Sequence, residues 1–235
     1  MKPSTRLSIE AVFLLLFLLP PLWAWSAVNE ESPDAIAQRL QKKYDQMTSL
    51  SFAFKQQSQG QLSGRPRTGS GTALFYKRGK TSRMRWNYTT PDRQVLISDG
   101  TTFSMYFAEL QQMIITPADA IDSDLTYTFF SGRGHIDQQF HILPPDQEFS
   151  QNDSDPKLPR IIKLVPREPQ SQVQSIHLWV DQDSLIRRIA IKDHFDTTTQ
   201  LNLSDIKVNG LSGTPAEIGR LFTFTPPKGT EIIHQ

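Results

Sequence analysis

Residues 84–107, MRWNYTTPDRQVLISDGTTFSMYF, decide the fold class of this chain. Every second residue from Met84 to Tyr88 is a large apolar or aromatic side chain. The same period returns from Phe103 to Phe107, after the turn signal Asp99-Gly100. A period of two places alternate side chains on opposite faces of a β-strand, and Asp-Gly favours a tight turn. This stretch therefore predicts neighbouring strands with one strongly apolar face.

Runs of the same kind recur along most of the chain, separated by turn signals at intervals of about 8–12 residues, as in all-β sheets and barrels. The predicted strands are residues 50–57, 71–77, 83–88, 94–98, 101–107, 110–116, 139–143, 160–165, 173–181, 185–192, 198–208 and 220–225.

One amphipathic helix precedes the strands. Ser32 suits an N-cap and Pro33 suits the first helical position. Apolar residues, among them Leu40 and Tyr44, then recur at helical spacing and predict a helix that ends at about Leu50.

Two segments interrupt the strands. Thr116-Pro117-Ala118 begins a stretch that predicts a short helix as far as Phe130, and the polar, proline-containing residues 144–159 predict a loop. The predicted fold class is mainly β with a few helices.

The N-terminus has the features of a secretory signal. Lys2 and Arg6 precede an apolar run at residues 11–19, which is much shorter than the roughly 20 residues of a membrane-spanning helix. Cleavage is expected after Ser26, with Ala24 and Ala27 as alternatives. The predicted domains are therefore a signal peptide at 1–26 and a single domain at 27–235.

Charge and cysteine content narrow the classes of function. Removing Lys2, Arg6 and Glu10 with the signal reduces 25 basic and 24 acidic residues to 23 of each. A balanced charge argues against a nucleic-acid partner, because binding to phosphates depends on excess positive charge. The chain has no cysteine, so we expect no disulfide, no lipid anchor at an N-terminal cysteine, and a protein that is free in the compartment to which it is exported.

The sequence predicts no catalytic centre, cofactor or metal. Gly79-Lys80-Thr81 resembles the end of a phosphate loop, but Leu74 stands where that motif requires glycine. None of the five histidines forms the i, i+4 pair of a helical zinc site. Asp181 and Asp183 suit a turn better than an acid/base pair.

The apolar face of the sheet is the remaining candidate site. One helix and one short interruption give little cover for so many strands, so this face either closes on itself as a barrel core or stays partly open. An open apolar concavity would be a ligand site.

Several segments resemble the outer-membrane lipoprotein carrier family (LolA), and they follow one another in the family's order along nearly the whole predicted mature chain. The resemblance rests on Arg85-Trp86-Asn87-Tyr88-Thr89-Thr90-Pro91, Ile97-Ser98-Asp99-Gly100-Thr101-Thr102-Phe103 with Tyr106, Thr116-Pro117-Ala118, Leu178-Trp179-Val180-Asp181 with the residues to Asp193, and Phe222-Thr223-Phe224-Thr225-Pro226-Pro227-Lys228-Gly229.

The resemblance implies an unclosed antiparallel β-barrel with a helical lid over an apolar cavity. It implies a soluble, monomeric periplasmic carrier that receives lipoproteins from an inner-membrane ABC transporter and passes them to an outer-membrane acceptor. A lipid- or lipoprotein-sensing regulatory module and a glycolipid or phospholipid carrier are the alternatives on the same fold.

The residues expected to line the cavity are the large apolar side chains of the first six strands. They are Phe52, Phe54, Phe75, Met84, Trp86, Tyr88, Phe103, Met105, Met113 and Ile115. The family's lid-closing arginine precedes a proline. Here Arg78 before Gly79 is its counterpart, with Lys80 as the alternative.

Overall fold

A computed structural model describes residues 31–60, 65–79, 81–121, 130, 134–150, 155 and 157–235. These residues form one twelve-stranded sheet, which does not close into a barrel because β12 and β7 are its two edges. The strand order is β12-β6-β5-β4-β3-β2-β1-β11-β10-β9-β8-β7.

The strands run for 4 to 12 residues. Their bounds are β1 Ser49–Gln59, β2 Arg67–Arg78, β3 Thr81–Thr90, β4 Gln94–Ser98, β5 Thr102–Phe107, β6 Gln112–Pro117, β7 Phe140–Leu143, β8 Arg160–Pro166, β9 Ser175–Val180, β10 Ile186–Lys192, β11 Thr198–Val208 and β12 Glu231–His234.

The predicted fold class is confirmed, with one exception to antiparallel pairing. Every neighbouring pair is antiparallel except β12 and β6, which are parallel. A C-terminal segment returns along the sheet and places β12 beside β6. The pairing of β1 with β11 joins the strands of the two ends of the chain into one continuous sheet.

The two faces of the sheet carry separate apolar clusters. The inner face, defined by Phe52, Phe75 and Trp86, packs against the first helix in the largest cluster. The outer face carries a smaller cluster that includes Tyr106 and Met113. Alternation along each strand separates these two sets of side chains.

The helix α1 (Pro33–Asp45) covers part of the inner face and packs against β7 and β8. Ser32 caps it, accepting a hydrogen bond from the backbone N–H of Ala35 at 3.2 Å. The predicted start is confirmed, but the predicted end at Leu50 is wrong, because Leu50 lies in β1. The prediction extended the helix too far because Leu50 continues the apolar period and is buried in the same cluster as the helix.

The chain after β11 also differs from the prediction. Residues 220–225 are not a strand, because the helix α3 (Pro215–Leu221) ends there. A capping box explains this helix: Thr214 and Glu217 bond each other's backbone N–H. The helix α2 (Ile136–Gln139) and 3-10 turns at Ala118–Ile121 and Gln147–Phe149 complete the described helical elements.

Other sequence predictions fall on residues outside the described ranges. These are the signal peptide at 1–26, the alternative lid residue Lys80, and most of the predicted short helix, of which Ala118–Ile121 and Phe130 are described.

Candidate functional site

An aromatic cluster forms the centre of the inner face. Phe52 of β1, Phe75 of β2 and Trp86 of β3 form a triangle of rings, with centroid distances of 6.1 Å for Phe52–Phe75, 5.6 Å for Phe52–Trp86 and 5.9 Å for Phe75–Trp86. Phe130 covers this group from above, 5.1 Å from Phe75 and 5.6 Å from Phe52. Neighbouring strands bring these rings together because Phe52 pairs with Ala73, whose own partner is Trp86.

The cluster continues along the same strands toward a polar end. Phe54 lies 4.9 Å from both Trp86 and Tyr88. Tyr88 is half-buried, and its hydroxyl donates a hydrogen bond of 2.9 Å to Gln56 Oε1. Burial raises the pKa of the Tyr88 hydroxyl. The inner face is therefore apolar at its centre and has a hydrogen-bonding group at one end.

Eight of the ten predicted site residues lie together on this face. Six are buried, whereas Tyr88 and Met105 are half-buried and pack against the others. The eight are Phe52, Phe54, Phe75, Met84, Trp86, Tyr88, Phe103 and Met105.

Met113 and Ile115 lie on the outer face instead. Met113 pairs with Tyr106, and both belong to the outer cluster, against which Ile115 packs. On β6 the partner of Met105 is Ile114. This register could not be predicted from the strand pattern, because Met113 to Ile115 is a continuous apolar run without an alternating polar residue.

The structure adds inner-face residues that the strand pattern missed. Ile36, Leu40 and Tyr44 of α1 and Met47 after it are buried in the same cluster as the aromatic rings, as is Phe130. The apolar stripe of α1 was the available signal for the first three. These side chains fill the space between α1 and the sheet, so an acyl-sized ligand would require α1 or Phe130 to move.

Polar bonds at its middle and at its C-terminal end hold α1 on the sheet. At the C-terminal end, Lys77 Nζ donates to the backbone oxygen of Asp45 at 3.1 Å. In the middle, Arg39 donates to the backbone oxygen of Asp181 at 2.7 Å and to Ser184 Oγ at 3.0 Å. Arg39 also pairs with Glu31 at 2.8 Å.

The predicted lid residue Arg78 does not lie with α1. It is exposed on the outer face, with Tyr76 and Arg83, in a cleft that also includes Pro215 of α3. Successive residues of a strand point to opposite faces, so Lys77, not Arg78, reaches the inner side. The family motif alone did not indicate which of these two adjacent basic residues faces the inner side of the sheet.

Tyr44 joins α1 to the sheet from within the core. Its hydroxyl accepts a hydrogen bond of 3.3 Å from the backbone N–H of Ile186. Burial raises the pKa of this hydroxyl, so Tyr44 stays neutral in the physiological range. This contact anchors the C-terminal turn of the helix to β10.

The other titratable cluster lies on the outer face, under residues 144–150 of the predicted loop. His177 is 1% exposed and accepts a hydrogen bond of 3.4 Å from the backbone N–H of Asp146. Lys163 Nζ donates to Asp146 Oδ1 at 2.7 Å. Phe149 covers the His177 ring at 4.4 Å. These contacts attach the loop to the sheet.

Within the described ranges, no group of three or more His, Cys, Asp or Glu side chains has the geometry to hold a metal ion. In the same part of the chain, no helix combines the length and apolar character needed to cross a membrane.

The family model for the outer membrane lipoprotein carrier protein LolA matches residues 45–215. The chain belongs to the LolA family. The matched range begins at the end of α1 and includes β1 to β11, and therefore all eight inner-face residues.

Two curated relatives carry the name outer-membrane lipoprotein carrier protein. The chain is 26% identical to the one from Nitrosomonas europaea, over 71% of this chain and 73% of the relative. It is also 26% identical to the one from Methylococcus capsulatus, over 94% of this chain and 97% of the relative. A solved LolA superfamily protein from Nitrosomonas europaea has a TM-score of 0.40 and 16% identity, covering 80% of this chain and 97% of that one.

Proposed function

We propose that this chain is a periplasmic carrier that binds the acyl chains of lipoproteins on the inner face of its sheet. The observation that supports this most is the aromatic and methionine surface of the inner face, in a member of the LolA family. The mature domain would begin after Ser26 and act as a monomer without a catalytic step. It would take lipoproteins from an inner-membrane ABC transporter to an outer-membrane acceptor.

The size of the hydrophobic effect explains why such a surface is needed. Burying each CH₂ of an acyl chain is worth about 0.8 kcal/mol, so a long chain in water costs on the order of 10 kcal/mol. The inner face offsets much of this cost. Met84 and Met105 suit ligands of varied shape, because methionine is flexible and polarisable.

The same surface limits how tightly cargo is held. Phe52, Phe75, Trp86 and Phe130 bury one another on the inner face. An entering acyl chain replaces these contacts with its own, so only part of its transfer free energy appears as affinity. A carrier needs this balance, because a cargo bound too tightly is not released.

We assign the lid to α1, with Phe130 beside it. In this proposal the polar bond that breaks on loading is the one from Lys77 to Asp45. Lys77 therefore takes the lid-closing role that the sequence analysis expected of Arg78. Arg39 makes three polar contacts and is half-buried, whereas Lys77 makes one at the exposed end of the helix. Because Tyr44, in the last turn of α1, is bonded to Ile186, opening of this end also requires the loss of that buried contact.

The test compares two glutamate substitutions on neighbouring strands. Met105 and Ile115 are both half-buried, but Met105 lies on the inner face and Ile115 on the outer face. Met105→Glu places a charge where the acyl chain binds, and Ile115→Glu is the matched control. Each variant is purified from the periplasm, and its bound lipids are identified by mass spectrometry.

Triacylated lipoproteins bound to the wild type and to Ile115→Glu, with at least a tenfold loss in Met105→Glu, support the proposal. Phospholipid or glycolipid alone would overturn lipoprotein as the cargo. Protein without bound lipid in every sample would favour a sensing module. Circular dichroism confirms that both variants are folded.

A further inference from the structure

The inner face changes from apolar to polar along its own strands. On β1 the inward side chains are Leu50, Phe52 and Phe54, followed by Gln56 and Ser58. The last two continue the same alternation, so they lie on the same face as the aromatic cluster. The proposed carrier function uses the apolar part of this face and assigns no role to its polar end.

A ring of the aromatic cluster holds Gln56 in place. The hydroxyl of Tyr88 donates to Gln56 Oε1 at 2.9 Å, and the Tyr88 ring lies 4.9 Å from that of Phe54. The ring also lies along Gly69, the pairing partner of Gln56, 3.6 Å from where a Cβ would stand. The carbonyl end of the Gln56 amide thus has a partner, which leaves its NH₂ group as a donor for a ligand.

A pair of hydroxyl groups lies one step further along the same face. Ser58 Oγ and Thr199 Oγ1 are 2.8 Å apart across the paired strands β1 and β11. One hydroxyl donates to the other, so the pair retains one donor and several acceptor lone pairs. Two residues along a strand correspond to about 7 Å, which is the spacing of this pair from Gln56.

The polar end of the face carries no carboxylate. Residues 55–59, 67–71, 86–90 and 198–201 include no Asp or Glu, and their cations are Lys55 and Arg67. Lys55 alternates to the outer face, whereas Arg67 is exposed at the rim, opposite Ser58. Uncharged donors suit neutral acceptors such as ester and amide carbonyls. A phosphate group prefers several charge-assisted bonds, and in these ranges Arg67 alone could supply them on this face.

We propose that this polar end binds the glyceryl ester and amide groups of the cargo's lipidated cysteine. Gln56 donates to an ester carbonyl, Tyr88 positions Gln56, and the pair of Ser58 and Thr199 bonds the amide. This inference rests on the proposed carrier function and names the part of the site that holds the head of the lipid. It also gives the acyl chains a direction, from Gln56 toward Phe130.

The exposure of the two ends agrees with this direction. Gln56 and Tyr88 are half-buried, whereas Met47, Leu50 and Phe130 at the opposite end are buried. The polypeptide of a lipoprotein continues from the lipidated cysteine into water, so the head must lie at the more exposed end. Leu50 and Gln56 are about 20 Å apart along β1, and one acyl layer of a bilayer is about 15 Å thick. One acyl chain therefore fits between them.

The experiment compares two synthetic triacylated lipopeptides, one with both glyceryl esters and one in which both are replaced by ethers. The ether analogue keeps the length of the chains but lacks the ester carbonyls. Fluorescence anisotropy of a dye on the peptide gives the dissociation constants. Gln56→Leu removes the donor, and Tyr88→Phe keeps the ring but removes the hydroxyl. Gln57→Leu is the matched control, because Gln57 is exposed on the opposite face of the same strand.

We expect the wild type to bind the ester lipopeptide about fivefold more tightly than the ether analogue, which corresponds to one neutral hydrogen bond. Gln56→Leu should lose this preference by weakening the binding of the ester form only. Tyr88→Phe should reduce the preference, because Gln56 is then held less well. Gln57→Leu should keep the wild-type ratio. Unchanged affinity for the ether analogue in each variant shows that the apolar face is intact.

Equal affinity of the wild type for the two lipopeptides would overturn the site, and so would an ester preference that survives in Gln56→Leu. An equal loss of the preference in Gln57→Leu would mean that the inner face is not what reads the ester. Displacement of the ester lipopeptide by phosphatidic acid from the wild type, but not from Arg67→Ser, would assign this end to a phosphate group instead. If the wild type binds neither lipopeptide, the carrier function itself fails, and this site with it.

Discussion

Lys77 and Arg78 are adjacent basic residues of β2 that lie on opposite faces of the sheet. Substituting each one separately tests which of them holds α1. Lys77→Met removes the hydrogen bond to Asp45 and keeps the length of the side chain. The bond is solvent-exposed, so we expect a loss of about 1 kcal/mol and a roughly fivefold increase in opening of α1. Hydrogen exchange of the α1 amides measures this opening.

Arg78→Met is the control for that change, because Arg78 is exposed on the outer face. Its α1 amides should exchange at the wild-type rate. Faster exchange in Arg78→Met than in Lys77→Met would return the lid role to Arg78 and refute the assignment made from strand alternation.

His177 makes folding stability depend on pH. Burial lowers its pKa in the folded protein, although the nearby Asp146 carboxylate opposes this effect. The unfolded chain therefore binds a proton more readily, starting below about pH 6.5. The stability contributed by neutral His177 is complete above that pH, and it is lost as the pH falls from there toward the folded pKa.

Urea unfolding at pH 7.5 and 5.5 measures this dependence. Asp146, Glu148, Lys163 and Lys192 surround His177 and also influence its charge. We expect a smaller fall in the free energy of unfolding for His177→Gln than for the wild type. Substituting the exposed His141 by Gln should leave the wild-type fall unchanged. Identical falls in wild type and His177→Gln would exclude His177 as the cause.

At this scale, the sequence predicted side-chain faces only where the pattern alternates. Met84 to Tyr88 alternates strictly, and its apolar members lie on the inner face. Met113 and Ile115 come from an uninterrupted apolar run, where either set of alternate residues could face inward. The face was decided by pairing with β5, a long-range contact that one strand cannot encode.

At the scale of elements, the C-terminal segment binds the outer face through a few large contacts. Phe222 is 1% exposed and lies 6.2 Å from Tyr76. Arg85 donates to the backbone oxygens of Leu221 and Thr223 at 3.0 and 3.2 Å. Phe224 packs on Tyr106 at 5.0 Å. This segment therefore covers the face opposite to α1.

Phe222→Ala tests how much this segment stabilises the molecule. Removing a buried phenyl group costs about 3–5 kcal/mol, through lost apolar burial and the cavity that remains. The neighbouring Leu221 is 41% exposed, so Leu221→Ala should cost under about 1 kcal/mol. Urea denaturation of the two variants makes the comparison. Equal effects would mean that the segment is attached mainly through its backbone.

Most strands could be predicted because each carries its own local pattern. The predicted runs match β1 to β11 within a few residues. The strand predicted at residues 220–225 was wrong, because Phe222 and Phe224 alternate as they would in a strand, whereas Thr214 and Glu217 upstream start a helix. β12 was missed because its four residues pair in parallel with β6, and that pairing depends on the whole C-terminal segment.

The two faces of the sheet are covered by different segments of the chain, and this difference decides which face can bind cargo. The outer face is occupied by the C-terminal segment, through Phe222 and Phe224, and by residues 144–150, through Phe149. The inner face is covered by α1, which can move without breaking the sheet. The sequence predicted an apolar face and a helix to cover it. Which face that helix covers follows from the pairing of distant strands, such as β1 with β11.

Two tryptophans report on the two faces. Of the four in the chain, Trp23 and Trp25 lie in the predicted signal, and removing it leaves Trp86 and Trp179. Trp86 belongs to the inner cluster, whereas Trp179 packs on the outer face with Phe149. The mature protein therefore needs only one substitution to isolate either fluorophore.

Quenching by a triacylated lipopeptide with brominated acyl chains then tells which face binds cargo, because bromine quenches tryptophan only at close range. Trp179→Phe, which retains Trp86, should lose most of its fluorescence on loading. Trp86→Phe, which retains Trp179, should lose little, and a non-brominated lipopeptide controls for changes in packing. Strong quenching of Trp179 instead would move the acyl chains to the outer face. Binding without quenching of either tryptophan would move them away from the described clusters altogether.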